Sequence, residues 1–354
     1  LLDMRSGEVL YENEAGVPWH PASLTKLMTA LLAFEAIESG QAHLTTPVTI
    51  TENALSVPPS KMGFPVDTAI TLEDALYLLI IKSANDIAVA IAETIGGSED
   101  VFVALMNQRA AQMGLTGTRF ANPHGLHDPA QVTTARDMAV IALTIRSRYP
   151  QYDRLFNTRT VEHGQSRSHT NNELLTKFAG TDGMKTGYVC ASGLNVVATV
   201  ERDGRRLMAV TMGAHSGRER GEMTAQLLFS GFAGGYRGLG MSVLDIPNRT
   251  GQPAVDMRPM ICGSGAAAYT KARAEQFPAG LEGQITYLTD TITPPVHRMA
   301  TLGRLREVPL PRPRPGGTVV VAAGASQGQP AGLSMLEGGD AAAQQTDAGQ
   351  TPIV

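Results

Sequence analysis

Apolar positions along this chain fall into a few dense runs separated by polar, glycine-rich and proline-rich connections. Leu24, Leu27, Met28, Ala30, Leu31, Leu32 and Phe34 form the first run, long enough for a helix buried on nearly every side. A second stretch at 76–81 and a third at 87–95 flank Lys82-Ser83-Ala84-Asn85-Asp86, which therefore reads as a short connection between two helices. Residues 98–113 predict another helix, with Phe102, Leu105 and Met106 on its inner side. From 192 the periodicity changes to that of a strand, and Gly204 separates it from a second strand-like run at 206–212, so the two predict a hairpin. A helix over 218–229 is expected to pack back on that sheet.

Beyond about residue 236 the pattern weakens. Residues 236–306 hold scattered apolar positions among frequent Gly and Pro, with no clear repeat or strand alternation, and are expected to be a poorly defined extension. Pro309-Leu310-Pro311-Arg312-Pro313-Arg314-Pro315 should be extended. The rest of 307–354 is rich in Gly, Ala and Gln without any aromatic residue and is expected to be disordered. The run Val319-Val320-Val321 is the exception, a strand only if it finds a partner.

Three short motifs sit at the edges of these elements. Ser23-Leu24-Thr25-Lys26 opens the first helix, Ser83-Ala84-Asn85 lies in the connection between the next two, and Lys185-Thr186-Gly187 precedes the hairpin. Taken alone, Ser23 and Lys26 read as a helix cap and a solvated lysine, Ser83 as a cap, and Lys185 as an edge charge that blocks aggregation. Together and in this order they match the S-x-x-K, S-x-N and K-T-G set of penicillin-recognising serine enzymes. Positions three apart share a helix face, so Ser23 and Lys26 project the same way. A serine hydroxyl needs a base to take its proton, and a lysine serves only when burial or another cation depresses its pKa. Asn85 supplies an amide for the substrate and for positioning Lys26, and Ser83 a second hydroxyl able to relay a proton to a leaving amine. Lys185 and Thr186 offer a cation and a hydroxyl to a substrate carboxylate, and Gly187 lets a substrate backbone come close.

The chain resembles the D-alanyl-D-alanine carboxypeptidases of the low-molecular-mass penicillin-binding proteins, serine peptidase family S11. The likeness extends past the three motifs to Leu2-Asp3 with Ser6-Gly7-Glu8-Val9-Leu10-Tyr11-Glu12, to Asn122-Pro123-His124-Gly125-Leu126 and to Ser230-Gly231-Phe232, and so covers roughly residues 1–235. It implies an α/β (α+β) β-lactamase/transpeptidase-like fold, an antiparallel sheet flanked by helices, with 1–235 as catalytic domain and an irregular to disordered C-terminal extension. It implies Ser23 as the acylated residue, Lys26 as proton acceptor, Ser83 and Asn85 as the second wall of the site, and Lys185 as carboxylate anchor. The backbone N–H groups of Ser23 and Tyr188 would form the oxyanion hole. The implied partners are peptidoglycan stem peptides ending in D-Ala-D-Ala, with β-lactams as covalent inhibitors and no cofactor. Two departures bear on rate or preference rather than on reaction class: Tyr188 stands where the family often has histidine, and Thr170, before Asn171, stands where some relatives have arginine. Many relatives also carry a small β-rich domain and a membrane-anchoring amphipathic helix, neither of which is legible here.

Composition narrows the alternatives. A formal net charge of -4 gives no reason to expect nucleic acid, and 43% hydrophobic with 18% charged residues is ordinary for a globular protein. The apolar runs are too short and interrupted for a transmembrane span, so membrane association is not evident. The eight histidines and two cysteines show no metal-ligand spacing, and His124 reads as a loop residue. Cys190 and Cys262 are expected as two separate thiols more readily than as a pair. Leu1-Leu2-Asp3 in place of an initiator methionine reads as a processed or truncated N-terminus, and the family resemblance implies a periplasmic or extracytoplasmic location. Three other functions remain open: a class A β-lactamase, for which Glu173 is the loose candidate for activating water; a D,D-endopeptidase or transpeptidase; and an inactive wall-binding scaffold.

Overall fold

The computed structural model describes residues 1–304. Its organising layer is an antiparallel sheet of four strands in the order Leu2–Asp3, Arg205–Ala214, Gly193–Arg202, Thr181–Val189. The start of the chain thus pairs with a late strand, Leu2 opposite Met208, while the strand carrying Lys185-Thr186-Gly187 forms the other edge. The predicted hairpin is present, and Gly204 takes the positive φ of 72° that its turn needs. The helix Gly217–Phe232, capped by the Ser216 side chain on the Glu219 N–H, follows the last strand of this sheet.

Helix Lys26–Glu38 runs through the core, with every residue from Lys26 to Phe34 buried. Its exposed end is tied by Glu35 to Arg109 at 2.8 Å and by Glu38 to the Tyr149 hydroxyl at 2.6 Å. Helix Asn85–Gly96 is likewise almost wholly buried. The apolar stretch before it divides into a helix, Leu72–Tyr77, and a single π turn, Leu78–Lys82, which ends at Ser83 in the left-handed conformation. Helix Glu99–Gln112 buries Phe102, Met106 and Ala110. Leu105, expected inside, is 37% exposed because the buried stripe advances by fours and leaves it on the flank.

The segment expected as a poorly defined extension carries specific structure. Val296–Met299 pairs in parallel with Thr160–His163, and Gly303–Arg304 pairs with Thr68–Thr71. Helix Ala266–Gln276 lies between these strands and helix Gly217–Phe232 in sequence, and Arg273 pairs with the buried Glu219. Alternation was not legible because the strands are four and two residues long, too short for a period of two to register. The two cysteines are a correction: Cys190 and Cys262 form a disulfide, with Cα atoms 5.7 Å apart. They meet because the Met257 N–H donates to Ala191 O at 2.9 Å, which lays the later segment across the turn that follows Val189. The Pro-rich stretch, the Val319-Val320-Val321 run and the tail of 307–354 lie outside the described residues. Among the described residues no helix is long and apolar enough to cross a membrane.

Candidate active site

Ser23 sits in a 3-10 turn, Ala22–Thr25, that leads into helix Lys26–Glu38 rather than in the first turn of the α-helix itself. The turn is unusual in placing Ala22 at φ 48°, a region that costs a non-glycine residue about 1–3 kcal/mol and persists where surroundings enforce it. Those surroundings are visible. Gly125, at φ 90°, lies so close that a Cβ there would come within 2.0 Å of the Ala22 carbonyl oxygen. From the sheet, the Asn195 amide donates to the carbonyls of His20 and Pro21 at 3.1 and 3.3 Å.

Lys26 follows as a fully buried amine, 0% exposed. Its Nζ lies 3.2 Å from Ser23 Oγ, 2.8 Å from Asn85 Oδ1 and 2.5 Å from the His124 carbonyl oxygen. Burial first, and then the positive charge of Lys185, hold its pKa well below the ordinary lysine value. An uncharged amine has two N–H donors and one lone pair. With Asn85 and His124 as the two acceptors, the lone pair is left for the Ser23 hydroxyl. The Asn85 Nδ2 donates to Pro58 O at 3.0 Å, which fixes the amide so that its oxygen faces Lys26. Buried Asp86 accepts from the N–H groups of Met62 and Gly63, holding the loop whose Pro59 and Ser60 line the cleft.

The second and third motifs meet directly. Lys185 Nζ donates to Ser83 Oγ at 2.9 Å and to the Thr186 carbonyl at 2.8 Å. Lys185 is lowered to about 7 by burial and then by the charge of Arg220. A Cβ on Gly187 would stand 3.0 Å from both Pro21 O and Ser23 N, so the glycine lets the strand press against the turn that carries Ser23. Tyr188, next along, is half exposed at the rim.

Ser23, Ser83, Asn85, Thr186, Gly187 and Tyr188 line one cleft of about 830 Å³. Lys26 and Lys185 lie behind its surface. All eight sequence-predicted residues are therefore brought together.

Two contributors were missed. One is the backbone carbonyl of His124, an acceptor no side-chain motif reveals, although its Asn-Pro-His-Gly-Leu setting had been noticed. The His124 ring is buried beside Lys26, and burial above all lowers it to about 3, so it stays neutral. The other is Arg220 on helix Gly217–Phe232, buried, donating to Asn171 O at 2.6 Å and lining the cleft near Lys185. A lone arginine in an amphipathic helix carries no signal of that placement. Glu173 also lines the cleft, raised by burial, with Lys177 at 3.7 Å; its carboxylate makes no hydrogen bond to Ser23 or Lys26.

A serine entering a core helix, a buried lysine behind it and an edge strand pressed against its turn define the class: an active-site serine protein of the β-lactamase/transpeptidase-like fold. The family model described as D-alanyl-D-alanine carboxypeptidase, peptidase S11, matches residues 1–216, and the chain belongs to that family. It is 36% identical over 238 residues to the D-alanyl-D-alanine carboxypeptidase DacA of Haemophilus influenzae, covering 66% of this chain and 61% of that protein. It is 32% identical over 241 residues to DacF of Bacillus subtilis, with 66% and 61% covered. The chain thus spans about three fifths of the length of these relatives. Among solved structures, penicillin-binding protein 5 of Haemophilus influenzae matches with a TM-score of 0.63 at 36% identity, covering 66% of this chain and 69% of that one. Penicillin-binding protein D2 of Listeria monocytogenes in its cefotaxime-bound form matches with a TM-score of 0.59 at 26% identity, covering 65% and 94%.

Proposed function

We propose that this chain is a serine-type D-Ala-D-Ala carboxypeptidase that removes the terminal D-alanine from peptidoglycan stem peptides through an acyl-enzyme on Ser23. The observation that carries it is Lys26: a fully buried amine 3.2 Å from Ser23 Oγ, with two other acceptors placed to take its N–H groups. The substrate's terminal carboxylate docks on Lys185 and Thr186, with Arg220 adding positive potential behind them. Ser23 Oγ attacks the penultimate carbonyl while Lys26 Nζ takes its proton, and the N–H groups of Ser23 and Tyr188 receive the oxyanion. Ser83 Oγ gives its proton to the departing amine and is reprotonated by the proton that Lys26 took up, D-alanine leaves, and water, losing a proton to Lys26 that returns to Ser23 Oγ, then hydrolyses the ester.

A β-lactam offers the same carboxylate and a strained amide, so it acylates Ser23 and stays. That a family relative and a fold neighbour are penicillin-binding proteins supports this part of the reading. Because the substrate lies outside the cytoplasmic membrane, the proposed site of action is extracytoplasmic. The test compares the chain with Ser23→Ala on a muropeptide ending in D-Ala-D-Ala. D-alanine release that disappears in the variant supports the proposal. Release from neither protein, or a penicillin adduct that persists on Ser23→Ala, overturns it.

A further inference from the structure

The strand that carries the third motif ends in a brace that the chemistry of the first two motifs does not use. Residues 183–187 are buried, and then Tyr188 is 50% exposed at the rim of the cleft. Its hydroxyl rests on the disulfide, 3.3 Å from Cys262 Sγ and 3.8 Å from Cys190 Sγ. The turn beneath is held on several sides. Ala191 O accepts from the Met257 N–H at 2.9 Å, Ser192 O accepts from Trp19 Nε1 at 2.9 Å, and the Val255 N–H donates to Pro18 O at 3.1 Å. A Cβ on Gly193 would come within 2.8 Å of the Met257 sulfur, so the packing there is tight. Trp19 and Pro18 lead directly into the turn that carries Ser23. One clamp therefore fixes the exit of the edge strand relative to the nucleophile.

Direction follows from spacing. With the terminal carboxylate at Lys185 and Thr186 and the scissile carbonyl at Ser23, level with Gly187, the next strand position lies about 3.3 Å further on, away from the carboxylate. That side receives whatever precedes the D-Ala-D-Ala end. We propose that Tyr188, braced on the Cys190–Cys262 disulfide, is the wall of the donor-peptide subsite and packs against the aliphatic part of the residue preceding D-Ala-D-Ala. This rests on the carboxypeptidase reading and deepens it. An aromatic ring pinned at its tip loses little freedom when a ligand settles on its face, so the brace makes the wall effective for an extended donor. Here Tyr188 and the disulfide are positioning and specificity elements, acting on which donor is taken.

The experiment measures kcat/KM for D-alanine release from two donors, N-acetyl-D-Ala-D-Ala and a peptide in which a diamino acid residue precedes D-Ala-D-Ala. The proteins are the unaltered chain, Tyr188→Ala, Tyr188→Phe and the double variant Cys190→Ser/Cys262→Ser. The expected result is that the long-to-short ratio falls about tenfold in Tyr188→Ala, the loss that goes with the packing surface of about two methylenes, chiefly through KM. The ratio falls part of the way in the double variant and in Tyr188→Phe, each of which keeps the ring but removes the contact between the Tyr188 hydroxyl and the disulfide. Ratios unchanged in Tyr188→Ala and in the double variant overturn the proposal while leaving the carboxypeptidase intact. Should the unaltered chain release D-alanine from neither donor, the carboxypeptidase reading and the subsite fall together. A double variant that loses its fold leaves the decision to Tyr188→Ala, whose exposed side chain is not part of the core.

Discussion

Lys185 Nζ and Ser83 Oγ are joined by a hydrogen bond of 2.9 Å, so the second and third motifs form one polar unit beside the buried Lys26. In the proposed carboxypeptidase the proton on Lys185 bears on both binding and catalysis. Lowered to about 7, Lys185 loses its charge as pH rises through that value, and an anionic substrate loses its anchor. The expected kcat/KM for a substrate with a free carboxylate declines above pH 7, whereas a bound carboxylate restores the proton and moves the alkaline limb of kcat higher. Steady-state profiles on carboxylate and carboxamide substrates check this, because the amide should lack the decline.

The same displacement has a sign for stability. Between about 7 and the ordinary 10.5, the unfolded chain holds a proton on Lys185 that the folded chain does not, so folding is favoured as pH rises through this window and disfavoured as it falls. Thermal melts of the chain and Lys185→Met across pH 7 to 10 should therefore converge toward the alkaline end, with the variant relatively more stable at the acidic end.

Arg220→Gln should act on Lys185 from behind. Removing the neighbouring charge lets Lys185 hold its proton to higher pH, while the anion site loses a cation. KM for carboxylate donors should rise about tenfold to a hundredfold, in keeping with the loss of an interaction with a charged group. At the same time the alkaline limb should move upward. A KM increase with no movement of the limb would mean that Arg220 contributes only through packing.

Lys26→Met should slow acylation by a factor on the order of 10² to 10⁴, the usual contribution of a positioned base. The fold should survive with a loss of about 1–3 kcal/mol, since Met fills the same space but leaves Asn85 Oδ1 and the His124 carbonyl without their donor. Fluorescent-penicillin labelling against time gives the rate, and urea unfolding gives the stability.

At Gly187→Ala the methyl meets the backbone of Pro21 and Ser23 at 3.0 Å. Overpacking of this kind costs about 1–3 kcal/mol, and a nucleophile shifted by about 1 Å loses roughly 10²-fold in rate. The expected signature is a large fall in acylation with a modest fall in Tm, both measurable on one preparation.

Glu222 ties the later segment to helix Gly217–Phe232, accepting from the Thr286 hydroxyl at 2.5 Å and the Tyr287 N–H at 2.8 Å. Glu222→Ala leaves those donors without a partner and should cost about 1–3 kcal/mol. Limited proteolysis should then cut within 277–292 before elsewhere. Cleavage sites unchanged from the parent would show that the other bonds of this segment suffice.

What was legible in the sequence is what is local. Ser23 and Lys26 share a face because a helix repeats every 3.6 residues, and the hairpin after Lys185 announces itself by alternation and Gly204. Arg220, the His124 carbonyl and the Cys190–Cys262 bond depend on contacts between distant segments, and the disulfide joins residues 72 apart. Gly187 lines the cleft, and the pressure of the Ser23 turn upon it becomes visible only with the strand and turn in place.

The pairing of Val296–Met299 with Thr160–His163, and of Gly303–Arg304 with Thr68–Thr71, has a consequence for biogenesis. A chain made from its N-terminus emerges with two open strand edges, at 68–71 and 160–163, that among the described residues are covered only by Gly303–Arg304 and Val296–Met299. Open edges are templates for pairing with other chains. Until residue 304 is available, the nascent polypeptide carries two unpaired edges, an aggregation hazard that a holding factor would have to manage.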